Sequence, residues 1–588
     1  MKTFWKIFFG SLLGCIVALI ILGFIGIGML GSLASFTEKS EPVMPKSAIL
    51  KLDFKAAVAD QGSDDITFDI TSGTPDFSGS ISLLTYIRAI EAAANDPAIK
   101  FIYMTPETVN MGMAQTEEVR NALLKFRESG KPVIAYATQF SNQNYYLASV
   151  ADKIYFNAFG DTFITGLGSS IIFFKDLLDK LGVEVQLIRH GKYKAAAEQF
   201  IKNDISPENR EQNEVMLNSL WNAWCEEIAA SRDFTAEEFN SWIDNLELTT
   251  ASTILEKGLV DELCYRDQLE KNLCTLFDVK EEKDLKFIGI EDYAKIAVKS
   301  NVRAKDKIAV VYASGEIVVD GKEGNISGIK MAKTLADVRK DSTIKAVVFR
   351  VDSPGGSAQA AEMINREIGL LKEVKPVIAS YGTYAASGGY WISARTDHIF
   401  TDNSTLTGSI GVFSMMPVIG GALKKNFKVN PVTISTNKHG DMMTAMRRLD
   451  SDEQEFMQSM VEQVYTQFMS LVSEGRNMTI EQVDEIAQGR VWAGSDALNI
   501  GLADEKGGLA DAIKYAEMAA GLTDYRIVEY PVKKTAMEKL METFSKTKVA
   551  VDAASSDPME NLAEIYSSLK SETKAVNYAR LPYIYDIK

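Results

Sequence analysis

Asp96-Pro97-Ala98-Ile99-Lys100-Phe101-Ile102-Tyr103 returns later in the chain as Asp341-Ser342-Thr343-Ile344-Lys345-Ala346-Val347-Val348, at an offset of 245. A single match of this kind would mean little, but three more fall in the same register. Lys131-Pro132-Val133-Ile134-Ala135 answers Lys375-Pro376-Val377-Ile378-Ala379 at 244, and Ala151-Asp152-Lys153-Ile154-Tyr155 answers Thr396-Asp397-His398-Ile399-Phe400 at 245. Gly258-Leu259-Val260-Asp261 answers Gly501-Leu502-Ala503-Asp504 at 243. Self-similarity at one fixed period marks a duplicated structural unit. The sequence therefore divides into a leader (1–42), a first copy (43–300), a second copy (301–532) and a polar tail (533–588).

Within each copy, short apolar runs rich in β-branched residues alternate with helical periodicity. In the second copy 308–312, 346–351, 377–380 and 398–401 are predicted strands, while 329–339 and 360–372 carry apolar residues at three- and four-residue spacings and are predicted helices. Strands that alternate with helices imply crossover connections and a mostly parallel sheet. Each copy is thus expected to be one α/β unit. The stretch 451–474 reads as a long amphipathic helix, with Phe456, Met460, Val464, Phe468 and Val472 four apart, used as a packing or oligomer arm.

The leader has no charged residue from 7 to 37, and its apolar run 7–33 exceeds the roughly 20 residues that a helix needs to cross a bilayer. A cleavable signal peptide has a shorter apolar core. Lys2 and Lys6 precede the run and Glu38 and Glu41 follow it, so charge asymmetry keeps the amino terminus cytoplasmic and sends the remaining chain outward. Leu12-Leu13-Gly14-Cys15 looks like a lipoprotein signal, but there the apolar core should stop at the cysteine, and here it continues.

Composition removes several function classes. The 588 residues are 46% apolar and 24% charged, an ordinary globular balance. A net charge of −16 argues against binding nucleic acid through its phosphates. Four cysteines are too few for a disulfide scaffold. Only His190, His398 and His439 exist, so a histidine-rich metal site is excluded and a catalytic base must come from a short set.

Candidate chemistry lies where the copies differ. After the strand 346–351 comes Asp352-Ser353-Pro354-Gly355-Gly356-Ser357, a glycine-rich turn into a helix whose amides can bind a developing oxyanion. It is neither a dinucleotide loop nor a P-loop. The first copy has Thr105-Pro106-Glu107-Thr108-Val109-Asn110 there, without the glycine pair. Farther on, Thr407-Gly408-Ser409-Ile410-Gly411 faces Thr165-Gly166-Leu167-Gly168, which sets Ser409 against Leu167. A hydroxyl nucleophile needs a base. The three histidines and Lys194, in Gly191-Lys192-Tyr193-Lys194-Ala195-Ala196-Ala197, all remain open at this point. To serve, a lysine must be neutral, which takes a pKa drop of about three units from ~10.4 and about 4 kcal/mol of desolvation; the alanine run would permit that burial.

Four motifs together resemble one family. Asp352-Ser353-Pro354-Gly355-Gly356, Ala386-Ser387-Gly388-Gly389-Tyr390-Trp391, Thr407-Gly408-Ser409-Ile410-Gly411 and Gly191-Lys192-Tyr193-Lys194 are similar to those of signal peptide peptidase A, also called protease IV, in its long two-copy form. The resemblance spans nearly the whole chain after the leader. It implies an α/β fold of two tandem domains like those of the Clp protease and crotonase superfamily, behind an N-terminal transmembrane helix. It also implies a Ser-Lys dyad with Ser409 as nucleophile and Lys194 as general base, oxyanion donors at the amides of Gly356 and Ile410, and Ser435 as a hydroxyl that orients the lysine. No cofactor or metal is implied. The implied partners are peptide substrates, above all remnant signal peptides, the lipid bilayer through the anchor, and three further copies in a homotetramer. The implied location is a bacterial inner membrane, crossed once, with the catalytic body outside the cytoplasm. The sequence departs from the family at Gln199, where the family tends to have proline. Two rival readings, a crotonase-like acyl-CoA enzyme and a non-catalytic membrane scaffold, would respectively require CoA binding and tolerate loss of Ser409 and Lys194.

Overall fold

The computed structural model describes residues 42–532 apart from 64–66, 70–73, 77–78 and 322–323, together with 578–580. The predicted membrane anchor lies outside these residues. Among the described residues no helix is long and apolar enough to cross a membrane.

The two copies build the same sheet twice. In the first, the strand order is Glu262–Leu263, Lys153–Phe163, Val133–Ser141, Ile99–Met104, Ala48–Leu52, Phe287–Gly289, with every pair parallel. In the second, Glu505–Lys506, His398–Thr401, Val377–Ala386, Ile344–Ser353, Lys307–Ser314 and Arg526–Tyr530 follow in the same order, also parallel. Leu406–Gly408 also pairs with Val377–Ala386, and Val491–Ala493 joins it antiparallel. The central strands are buried on both faces: Ile308 to Ala313 and Ala346 to Phe349 are at most 3% exposed. Near-continuous apolar runs are what such strands require. Helices Gly328–Lys340 and Ala358–Lys372 cover one face, starting from Ser327 and Ser357, whose hydroxyls cap the amides of Lys330 and Ala360.

A third sheet is made of both copies. Its order is Ile326–Ser327, Ile317–Val318, Gly355–Ser357, Tyr578–Arg580, Val412–Val418, Glu184–His190. The last pair runs antiparallel over seven positions, from Val412 opposite His190 to Val418 opposite Glu184, and ties the first copy to the second. Tyr578–Arg580 enters from the tail and lies antiparallel between Gly355–Ser357 and Val412–Val418.

The long helix runs Ser451–Arg476. Its buried positions are not the four-residue stripe read from the sequence. Phe456 and Met460 are 53% and 39% exposed, whereas Met457, Val461, Tyr465, Phe468 and Val472 are buried. A step of four residues advances 400°, so the stripe drifts about 40° per step. It begins on the surface and reaches the core at Phe468, whose ring lies 4.5 Å from that of Trp391.

Candidate active site

Lys194 follows directly on the strand that binds the two copies. Beyond His190 the chain turns at Gly191, where the Lys194 amide donates to the Gly191 carbonyl at 3.2 Å. The turn is held from both copies: the Tyr193 amide donates to Gln488 O at 2.9 Å, Gln212 Nε2 to Tyr193 O at 2.9 Å, and Arg189 Nη1 to Lys194 O at 2.8 Å. Gly489 permits this fit, because with φ of 81° a Cβ there would stand 2.6 Å from the Lys194 Cβ. Lys194 and Ala195–Ala197 are buried, and Glu198–Ile201 forms a helical turn despite the absent proline.

The lysine side chain reaches two hydroxyls of the second copy. Nζ donates to Ser387 Oγ at 2.8 Å, to Ser409 Oγ at 3.0 Å and to the Ser409 carbonyl at 3.0 Å. All three residues are fully buried. Burial, with no compensating charge among the described residues, pushes the Lys194 pKa well below the ordinary lysine value. A neutral amine hydrogen-bonded to a hydroxyl can take that hydroxyl's proton.

The two serines sit in different settings. Ser387 ends the strand Val377–Ala386 and caps the short helix Gly388–Trp391, at φ 55° and ψ −114°. That backbone lies outside the ordinary regions for an L-residue and is held by the Ser387 amide donating to Gly408 O at 2.8 Å. A serine on a strained strand-to-helix turn presents its Oγ to the space beyond the strand ends. The Gly388 amide, first in its helix, has no carbonyl within that helix to bond. Gly389 allows this helix to rest on the Asp352–Gly356 turn, since a Cβ there would lie 2.6 Å from the Ser353 carbonyl oxygen. Ser409 follows the strand Leu406–Gly408 with φ 51°, and its amide is engaged by Arg490 O at 2.6 Å.

Sequence reasoning named Ser409, Lys194, Gly356 and Ile410. The structure gathers Ser409 and Lys194 and sets the Gly356 turn beside Gly388, while Ile410 is buried, with its carbonyl accepting from the Gly489 amide. Ser435 is not part of this cluster; it lies on an exposed stretch of the second copy. Ser387 belongs to the Ala386–Trp391 motif, which by itself assigns it no role. Its signal was available, because alignment of Tyr390 with Tyr145 sets Ser387 against Asn142, a second hydroxyl lost from the first copy. There the Asn142 amide group fills the turn, with Oδ1 accepting from Thr165 and Gly166 and Nδ2 donating to Gly166 O.

The histidines are occupied elsewhere. His190 pairs with Glu462 at 2.6 Å, His398 with Glu505 at 3.2 Å and His439 with Glu453 at 3.0 Å. His439, Asp450 and Glu453 are grouped closely enough to face a cation, but Arg447 already bonds Glu453 through both Nη atoms.

The family model for "Peptidase family S49" matches residues 125–280 and again 369–523, together more than half of the chain. The chain belongs to peptidase family S49. Protease 4 of Haemophilus influenzae is 33% identical over 88% of this chain and 86% of its own length. Protease 4 of Salmonella typhi is 36% identical over 79% and 76%. The chloroplastic serine protease SPPA of Arabidopsis thaliana is 30% identical over 81% and 72%. Among solved structures, a mutant of a membrane-bound stomatin-specific protease matches 39% of this chain with 13% identity and a TM-score of 0.27. As a member of S49 with both copies present, the chain is a serine peptidase of the long signal peptide peptidase A type.

Proposed function

We propose that this chain is a membrane-anchored endopeptidase that clears remnant signal peptides and unfolded apolar segments, with Ser387 as nucleophile, Lys194 as general base and Ser409 as the hydroxyl that holds the lysine. The observation that carries this reading is the 2.8 Å bond from Lys194 Nζ to Ser387 Oγ, made across the two copies in a site without counter-charge. Ser409 was the nucleophile implied by family resemblance, and Lys194 reaches it too. Ser387 is favoured because its turn geometry and the Gly388 amide at the adjoining helix start supply what an attacking serine needs, next to the Gly356 turn. In that arrangement Gly388 takes the oxyanion role first assigned to Ile410. Neutral Lys194 accepts the Ser387 proton as Oγ attacks the peptide carbonyl, and then returns it to the leaving amine. Water deprotonated by the same lysine hydrolyses the acyl-enzyme.

The tail strand supports a peptide substrate. Tyr578–Arg580 occupies a slot between Gly355–Ser357 and Val412–Val418 and hydrogen-bonds as an added strand, the mode by which extended peptides are commonly bound. Arg580 also pairs with Glu316 at 3.2 Å. A substrate strand would enter the same slot. Deleting 578–588 is therefore expected to lower KM for a short apolar peptide several-fold with kcat nearly unchanged; a KM that stays constant would mean that the slot is not where substrate binds.

The same repeat supports an assembly of several copies. The pairing of Glu184–His190 with Val412–Val418 joins copy one to copy two within the chain. Shifted by the repeat offset, its counterpart joins 428–434 to 168–174. Neither stretch forms a strand here, and Val429, Val432, Ile434 and Ile172 are 50%, 85%, 95% and 65% exposed. Paired between successive copies, these two stretches would give a head-to-tail contact of the kind that builds a ring when its rotation closes. Ile434→Asp should convert the oligomer of the full chain to monomer in analytical ultracentrifugation, and Ile172→Asp should do the same. An unchanged mass for both variants would contradict this pairing.

A further inference from the structure

The first copy lacks a nucleophile, yet its helix Met113–Arg127 bonds the second copy through Gln115, Glu117 and Glu118, which meet Thr383, Ser404 and Arg350. Gln115 stands on its first turn and is 4% exposed. Its Oε1 accepts from Thr383 Oγ1 at 2.8 Å, and its Nε2 donates to Asp60 Oδ1 at 3.1 Å and reaches Asp352 Oδ2 at 3.4 Å. Asp352 and Thr383 belong to the two neighbouring strands that carry the site. Asp352 precedes the turn that ends in Gly356, and Thr383 stands four residues before Ser387.

At this point the two strands part. Val351 pairs with Tyr381, but Ser353 pairs with Ala385, so residues 382–384 bulge opposite Asp352 alone. Bulges beside active sites re-aim the residues that follow. This one directs one strand end toward Ser387 and the other toward Gly356. Its ladder is replaced by side chains: Asp352 Oδ1 accepts from the Tyr384 amide at 2.9 Å, while Gln115 joins Thr383 to Asp352 from outside. Asp352 carries a pKa raised by burial and by Asp60 beside it, so it gains from a neutral donor at that spot.

We infer that Gln115 is a positioning residue that fixes the spacing between the Gly356 and Gly388 amides by bridging the bulge from the other copy. The inference rests on the proposed roles of Ser387 and Gly388. A bridge of this kind acts when charge develops on the substrate oxygen, so it is felt in kcat and not in ground-state binding. Lys194 lies outside the bridge, so its titration is unaffected.

The test uses the purified full chain and an unfolded apolar peptide, with Gln115→Ala, Gln115→Glu, Asp352→Asn and the double variant Gln115→Glu with Asp352→Asn. Gln115→Ala should lower kcat about tenfold, the scale of one misplaced oxyanion donor or somewhat less, with KM within twofold and the alkaline pH limb in place. Gln115→Glu should lose more, because it sets a third carboxylate against Asp60 and Asp352. In the double variant an Asn amide donates to the Glu carboxylate, and kcat should recover at least fivefold over Gln115→Glu alone. The inference is overturned if Gln115→Ala keeps kcat within twofold, if the losses of the two single variants simply multiply in the double, or if the loss follows KM or the folded fraction. Ser387→Ala run in parallel separates the two levels. An active Ser387→Ala would remove the underlying site assignment, whereas an inactive one beside normal Gln115 variants would remove only the bridge.

Discussion

Ser387→Ala is expected to abolish peptide hydrolysis, with kcat falling about 10⁴-fold or more, while Ser409→Ala retains measurable turnover. The contrast follows from what each hydroxyl does. Loss of a nucleophile leaves only the residual assistance of oxyanion donors and substrate binding, and in serine peptidases this loss is of the order of 10⁴–10⁶. Loss of a hydroxyl that only accepts a hydrogen bond from the lysine misdirects the amine at a cost near 1–3 kcal/mol, or about 5- to 150-fold in rate. Ser409 has a second hold on the lysine through its carbonyl, which accepts from Nζ at 3.0 Å and survives the substitution. Steady-state kinetics of the two variants with one apolar peptide suffices. The reverse order, with Ser409→Ala inert and Ser387→Ala active, would return the nucleophile to Ser409.

Lys194→Met should be as inactive as Ser387→Ala, and the two changes combined should cost little more than either, because they disable one unit. The same variant carries a stability signature. Lys194 is buried, and desolvation holds its pKa well below the ordinary value near ~10.4. Wherever pH lies between the depressed folded value and ~10.4, the unfolded chain binds a proton at this lysine that the folded chain does not, so the native lysine opposes folding by about 1.4 kcal/mol for each pH unit below ~10.4 within that window. Methionine removes that cost. The stability of Lys194→Met relative to the native chain should therefore be greatest at and below the depressed folded value and should decline as pH rises from there toward ~10.4, where the unfolded lysine also loses its proton. The activity of the native chain rises as pH passes through the depressed folded value, where the amine becomes neutral. A stability difference that does not vary with pH would mean an ordinary, charged lysine and no base.

Much of the fold was readable from the sequence because its strands are buried on both faces. Runs such as 346–351 must then be continuously apolar, and two such runs at a fixed offset betray a duplicated sheet. What could not be read was the exchange between copies. The pairing of Glu184–His190 with Val412–Val418 joins strands more than 200 residues apart, neither of which has a partner nearby in sequence. The lysine was legible through its motif and the alanines that follow it. The choice of serine was not, since Ser387 and Ser409 both stand beside glycine and both oppose a residue without a hydroxyl in the first copy. Only backbone torsion and the start of a helix distinguish them. Gln115 left no trace either, because its partners Asp60, Asp352 and Thr383 come from three separate segments.

Central to the proposed chemistry is the passage of an acyl group to Ser387, under the control of a lysine from the other copy. Trypsin separates the candidates, as residues 373–395 hold Ser387 and 396–424 hold Ser409. An activated ester of an apolar peptide, mixed with the full chain, quenched in acid within one turnover and mapped by mass spectrometry, should place the acyl group on Ser387 within 373–395. The adduct should vanish in Ser387→Ala and form only slowly in Lys194→Met. An acyl group found on Ser409 within 396–424, or formed at the native rate without Lys194, would contradict the account.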